Sequence, residues 1–552
     1  MHHINKQHSY LVFTLSFLLL VTITSCKFRQ KVSLIVHHGT IYTADKIFSV
    51  HQAMAINDGK IVAVGSNDDI LKKYESDEVK DLEGKAVYPG FIDAHCHFTG
   101  YATDLWKCDL TETKSFEEII DKLKSYAGQS KTQWVYGRGW DQNDWVVKEF
   151  PSKQKLDELF PDRPVFLKRV DGHAALVNQK ALNTAGINAS TKVEGGSIEL
   201  KDGQPTGILL DNAMDIAENK IPLVDDVLAK EYFLQAQQTC FGFGLTGVHD
   251  CGVSEHTIDL VDAEQKAGRL KMKIFALLTD SAQYYERWIK KGVYKTERLN
   301  VGGFKVYADG ALGSRGACLL QPYTDKPGWN GFLLSPADHF KKIAIDLVNT
   351  KFQMCTHAIG DSGNRVILNT YAAVLKGKND KRWRIEHAQV VNENDFLLFG
   401  KYNIIPSVQP THGTSDMYWA AERLGTTRVK NAYAFKQLLN ENGWMPLGTD
   451  FPVEDIDPFK TFYAAVARMD SQGFPAGGFQ AENSLSRKEA LMGMTIWAAK
   501  SAFEENEKGS LEPGKAADFI ILNQDLIKCP VNDILKTKVS GTFVNGEKVF
   551  GK

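Results

Sequence analysis

The chain has no excess of either charge: 65 Lys and Arg stand against 67 Asp and Glu over 552 residues, a formal net charge of −2. With no basic stripe interleaved with aromatics, that balance gives no polyanion footprint, and nucleic acid is not an expected partner. Low-complexity tracts are missing as well. At 43% apolar and 24% charged residues, the chain is suited to a large folded body and not to disorder. Cysteine is sparse: beyond Cys26 the remaining seven (Cys96, Cys108, Cys240, Cys251, Cys318, Cys355 and Cys529) are odd in number and fall singly in apolar context. That excludes a disulfide framework, and most read as buried thiols. No segment after residue 26 is a candidate membrane span.

The first 26 residues differ from the rest. A His- and Lys-bearing start precedes an uncharged run from Tyr10 to Val21, too short to cross a bilayer comfortably and proportioned like the apolar region of a signal peptide. Ile23-Thr24-Ser25-Cys26 then resembles a loose bacterial lipobox, which implies cleavage before Cys26 and a lipid on its thiol. The alternative is an ordinary signal peptide with an incidental Cys26. The expected location is the cell envelope, with a mature body lipid-anchored on the periplasmic or outer-membrane side. A homodimer is compatible with the sequence, which does not set the oligomeric state.

From Val32 to Val87 the text reads as short strands and turns, with Asp58-Gly59 a hairpin signal between alternating apolar runs. Residues 510–552 echo it, with Asn545-Gly546 as the turn. Two β-rich ends, 32–87 and 510–552, predict one small β-sandwich domain built from both termini. The middle, 88–509, holds eight compact apolar runs that end in polar residues, the first beginning one residue before it: 87–97, 246–252, 271–280, 302–310, 352–361, 382–390, 403–410 and 444–452. Most are separated by stretches long enough for a helix, which predicts an α/β fold, a (β/α)8 TIM-like barrel whose reactive groups sit where strands end. A doubly wound sheet would carry a glycine-rich phosphate turn after its first strand, and DAHCHFTGYATD is not one. Residues from about 100 to 228 are too many for a loop and read as an insertion after the first barrel strand.

Residues two apart in a strand face the same side, so His95 and His97 converge while Cys96 faces away. Other runs end in Lys305, His357, His387 and Asp450, which a barrel would gather at one mouth. Four imidazoles, a carboxylate and a lysine suit one or two divalent ions, with nitrogen and oxygen donors appropriate to zinc. An ammonium cannot ligate, whereas a deprotonated Lys305 that captures carbon dioxide becomes a bridging carbamate. Singly, each residue has a plainer role: a strand-end histidine as a hydrogen-bonding side chain, Lys305 as a partner of Asp309, Asp450 as a helix cap. Six such groups closing five apolar runs favour the metal reading.

PGFIDAHCHF, FKVYADGALGSRGA, THAIGD, EHAQ, GTDFPVEDIDPF and GSLEPGKAADFIIL resemble the amidohydrolase superfamily, in its family 3 branch with N-substituted formamide deformylase-like enzymes. The likeness runs from about residue 33 to the C-terminus. It implies that His95 and His97 bind the more buried metal, that carboxylated Lys305 bridges, that His357 and His387 bind the second metal, and that Asp450 is both ligand and proton carrier. The expected reaction is hydrolysis of a non-peptide C–N bond in a small amide by metal-activated hydroxide. Arg138, Asp171 and His173 of the insertion could reach over the site, and Arg315 could orient an anionic substrate group; their alternatives are turn, capping and solvated-loop roles. The rival readings are a deaminase, disfavoured because HAIGD holds no carboxylate before Asp361, a lactone or ester hydrolase using the same metals, and a tethered binding protein without catalysis.

Overall fold

The computed structural model describes residues 29–551 apart from 130–132 and 223. Cys26 and the lipobox lie outside the described residues. Among the described residues no helix is long and apolar enough to cross a membrane.

Seven parallel strands run side by side around the middle of the molecule: β1 (Phe91–Cys96), β2 (Leu245–Val253), β3 (Lys273–Thr279), β4 (Leu299–Tyr307), β5 (Gln353–Ala358), β6 (Arg384–His387) and β7 (Ile405–Ser407). Nearly every residue in them is buried. Helices such as Glu255–Lys266 after β2 and Asp361–Leu375 after β5 cover the outside, so both strand faces are apolar and the sequence shows continuous runs in place of alternation. Ser254 starts the first of these helices by accepting the Thr257 amide.

The eighth run, 444–452, is not a strand. It keeps one parallel bridge, Val408 to Leu447, and no ladder. Pro446 has no N–H to give, and Gly448 is pressed onto β1, where a Cβ would stand 2.5 Å from the His95 amide nitrogen. The run still closes the barrel as a stave. Ala94 donates to Leu447 O at 3.1 Å and Asp450 donates to His95 O at 2.8 Å on one side, while Gly448 donates to Val408 O at 3.1 Å on the other.

Between β1 and β2 the chain builds a second sheet, in the order Cys108–Asp109, Val135–Trp140, Val165–Arg169, Ala174–Val177, Gln204–Asp211, Gly196–Lys201. Each of its faces has its own apolar cluster. Trp140 and Trp145 lie inside one, donating to Leu167 O and Thr113 O, and are core residues. Strands from both chain ends share a third sheet, in which Phe519–Leu522 lies antiparallel to Ala86–Pro89. Its apolar face meets that of the sheet holding Leu34–His37 and Ala53–Asn57 in a core that includes Leu34, Met54, Val87 and Phe519. Asp58-Gly59 (φ 47° and 75°) and Asn545-Gly546 (φ 50° and 73°) each put two successive residues in the left-handed region, the geometry of a two-residue hairpin turn.

Candidate metal centre

His95 and His97 leave the end of β1 toward the same cavity, while Cys96 turns back into the core with its thiol at the His249 carbonyl. Three imidazoles of the centre are oriented from behind. His95 Nδ1 lies 2.6 Å from Glu386 Oε2, His97 Nδ1 lies 2.9 Å from Cys251 O, and His387 Nδ1 lies 2.7 Å from Gln409 Oε1. Each partner is an acceptor, so each Nδ1 carries the proton and each Nε2 offers a lone pair to the cavity.

Those lone pairs meet a carboxylate. Asp450 Oδ1 is 3.5 Å from His95 Nε2 and 3.3 Å from His97 Nε2, and it is buried without a hydrogen-bond partner. One donor atom each from His95, His387 and Asp450 fall within 4.8 Å of one another. The His357 ring is 4.7 Å from that of His387, and its Nε2 is likewise buried without a hydrogen-bond partner, 3.8 Å from Asp309 Oδ1. Lys305, 1% exposed, places Nζ 3.1 Å from His95 Nε2, and among the described residues no carboxylate stands within ion-pair distance of it. Its plainer partner, Asp309, is engaged elsewhere, accepting the amides of Ile359, Gly360 and Cys318 at 2.8 to 3.0 Å. Unprotonated nitrogens and a carboxylate oxygen crowded together repel one another unless a cation lies among them, so the donor set fits a divalent metal.

The electrostatics agree. Burial, helped by the Lys305 charge, pushes His95 down to about 4, and burial with neighbouring cations pushes His357 and His387 well below the usual histidine range. Neutral imidazole is the ligating form. Burial opposes ionisation of Asp450, but His95, His412 and His97 together hold it well below the usual carboxylate range. His387 (φ 72°) and Asp450 (φ 65°) are both in left-handed backbone, a cost of about 1–3 kcal/mol each that surrounding structure must over-determine.

The cavity above the centre has a volume of about 1370 Å³ and is walled by His97, Lys305, His357, His387, Asp450 and the insertion. Three of the four expected substrate-side residues line it. Arg138 donates to Pro452 O at 2.9 Å and Val170 O at 3.2 Å and pairs with Asp104. Asp171 pairs with Arg169 and accepts the His173 amide, and the His173 ring lies 5.0 Å from that of His357. Arg315 is not there. Its backbone is left-handed (φ 64°), and its guanidinium turns away to grip Asp325 at 2.8 and 3.2 Å, so it does not serve the cavity.

Two residues of the centre carry no legible sequence signal. Glu386 supports His95 from within an apolar run. His412, on the helix Pro410–Asp416, places Nε2 3.2 Å from Asp450 Oδ2 and Nδ1 3.0 Å from Glu454 Oε1. Burial disfavours its charge, but these two carboxylates outweigh burial and push it well above the usual histidine range.

The model of the amidohydrolase family (Amidohydro_3) matches residues 78–550. The protein LONG AFTER FAR-RED 3 of Arabidopsis thaliana is 33% identical over 537 residues, covering 94% of this chain and 91% of that protein. N-substituted formamide deformylase of Arthrobacter pascens is 25% identical over 542 residues, covering 94% and 98%. Among solved structures, an uncharacterized metal-dependent hydrolase from Pyrococcus horikoshii superposes with a TM-score of 0.74 at 29% identity, covering 90% of this chain and 99% of that one. A match across most of the chain, together with a barrel that gathers its histidines at one mouth, makes this chain a member of the amidohydrolase family.

Proposed function

We propose that this protein is a metal-dependent hydrolase that cleaves non-peptide C–N bonds, with N-substituted formamides or other N-acyl amines as its substrate class. The observation that carries the reading is the convergence of three rear-anchored imidazoles and an orphaned buried carboxylate oxygen at one cavity floor. His95, His97, Lys305, His357, His387 and Asp450 would hold one or two zinc ions, with Lys305 carboxylated. Such an ion supplies a water whose pKa falls toward about 7 and polarisation of the scissile carbonyl.

The chain's own groups do the rest. Asp450 turns Oδ1 to the cavity while His412 fixes Oδ2, so the carboxylate is placed to take a proton from the attacking water and return it to the departing nitrogen. Leaving amines depart protonated, which is why a single group that both accepts and returns the proton suits amide cleavage. The Arthrobacter pascens relative supports a small acyl group.

Metal analysis of the purified protein is expected to find one or two equivalents of zinc, and the loaded protein to hydrolyse members of a panel of N-formyl and N-acyl amines. Asp450→Asn is expected to lower kcat by at least about 1000-fold with most of the metal retained. A protein that binds no metal, or an Asp450→Asn variant with substantial turnover, would defeat the reading.

A further inference from the structure

We propose that His173, carried over the barrel mouth by the insertion, is a catalytic residue that contacts the scissile amide, and that Asp211 is its positioning residue. The proposal rests on the hydrolytic reading above and adds to it that the barrel alone is an incomplete site.

His173 and Asp211 flank one antiparallel pair, in which Ala174 lies opposite Leu210, and the Asp211 amide donates to His173 O at 3.1 Å. The side chains repeat the link, with His173 Nδ1 2.6 Å from Asp211 Oδ1. An imidazole whose Nδ1 is committed to a carboxylate presents Nε2 outward, and here the ring lines the cavity beside His357. Asp171 fixes the same residue from the backbone by accepting the His173 amide at 3.0 Å.

Asp211 is held at a cost. Its backbone adopts φ 49° and ψ −129°, a region that costs a non-glycine residue about 1–3 kcal/mol. The loop after β4, the strand that bears Lys305, makes the space its carboxylate occupies: a Cβ on Gly310 or Gly316 would stand 2.7 or 2.6 Å from the Asp211 oxygens. Asn212 Nδ2 then ties this corner to Leu334 O at 3.1 Å. A strained acid, received in a glycine cradle from the metal-site strand, aims one imidazole into the cavity. A surface contact between insertion and barrel would need none of this.

The test uses full-length, metal-loaded protein and three variants: His173→Gln, Asp211→Asn and both together. For His173→Gln the expected result is a fall in kcat of about 100-fold with metal content and Tm unchanged. Asp211→Asn is expected to fall about 10-fold, and the double variant to be no slower than His173→Gln, because residues acting as a unit are non-additive. Calorimetry with acetohydroxamate, an amide-like probe, reads the contact without turnover and is expected to show about 10-fold weaker binding to His173→Gln. Should Asp211→Asn fail to fold, the His173→Gln data still decide. Wild-type kcat and wild-type hydroxamate affinity in His173→Gln would overturn the proposal, as would additive losses accompanied by a lowered Tm. If the wild type cleaves no amide, the hydrolytic reading fails while the hydroxamate comparison still judges His173; if it cleaves amides without binding hydroxamate, the hydrolytic reading stands and the kcat of His173→Gln decides.

Discussion

Glu386 sits between two fully buried partners. Its Oε2 accepts a hydrogen bond from His95 Nδ1, and its Oε1 lies 3.6 Å from Arg384 Nε, with all three side chains at 0% exposure. Burial resists ionisation, but Arg384 and His95 hold the carboxyl well below its usual range. Glu386→Gln keeps the shape and removes the charge, leaving the Arg384 guanidinium buried without its counter-ion. The expected losses are about 3–5 kcal/mol in denaturant unfolding, as for breaking one partner of a buried pair, and about 10–100-fold in metal affinity by titration, as for a ligand's supporting hydrogen bond. The six residues expected to hold metal were legible because each stands at the end of an apolar run. Glu386 was not, since strict alternation sends it away from the side that His387 faces. The left-handed backbone of His387 breaks that alternation, so neighbouring residues both reach the centre. His412 was hidden for another reason: it sits on a helix after β7, where no strand-end pattern applies. Arg315 misled because proximity to Lys305 along the chain says nothing about which way a left-handed turn points its side chain.

Strand-like composition at 444–452 is real, yet proline and a packed glycine leave a stave that is hydrogen-bonded on both sides without a ladder. The stave carries Asp450, so its placement against β1 sets the metal centre. Gly448→Ala would bring a methyl group to 2.5 Å from His95 N and 2.8 Å from His95 O, backbone atoms that cannot swing aside. The stave must then shift. A displacement of about 1 Å at Asp450 is expected to lower kcat about 100-fold, and overpacking to cost about 1–3 kcal/mol, read as a drop in Tm. Within the insertion, the helix Asn212–Glu218 is locked to its sheet by its last residue, with Glu218 accepting from Lys168 at 2.9 Å and from Tyr136 Oη at 2.6 Å. Burial works against the charge, but Lys168, Tyr136 and Lys107 bring Glu218 down to about 2 from 4.5. A depressed carboxyl stabilises the fold above its unfolded value and loses that contribution as pH falls from 4.5 toward 2. Glu218→Gln is therefore expected to lower Tm by a constant amount between pH 7 and 5.5, and the gap to the wild type to close below pH 4.5. A gap that persists at low pH would mean that Glu218 acts through packing.

Four segments far apart in the chain meet at one buried charge. Lys273, at the start of β3, donates to Asp518 at 2.6 and 2.9 Å and to Asn545 Oδ1 at 2.7 Å, while the Asp518 carbonyl accepts the Gly90 amide at 2.9 Å just before β1. The sheet made from both chain ends is thereby fastened to the two barrel strands that flank β2. The β character of the ends and their hairpin turns could be read locally; this joint could not, because its partners are separated by 245 residues and each alone reads as an ordinary surface charge. Lys273 and Asp518 side chains are each 4% exposed. Burial pulls the Lys273 ammonium below the usual lysine range, against the pull of Asp518. Taking away the carboxylate then strands a desolvated cation, which is expected to cost about 3–5 kcal/mol for Asp518→Asn. Replacing both, as Lys273→Met with Asp518→Leu, removes the charge and its desolvation together and is expected to recover most of that loss. Thermal unfolding followed by near-UV circular dichroism checks both expectations. In the wild type the terminal sheet and barrel should melt together, and in Asp518→Asn the sheet should melt first, because the weakened joint no longer passes the barrel's stability to it. A double replacement as unstable as the single would show that the hydrogen bonds of Asp518 to Lys273 and to the Asn545 amide, and not relief of a buried charge, hold the two bodies together.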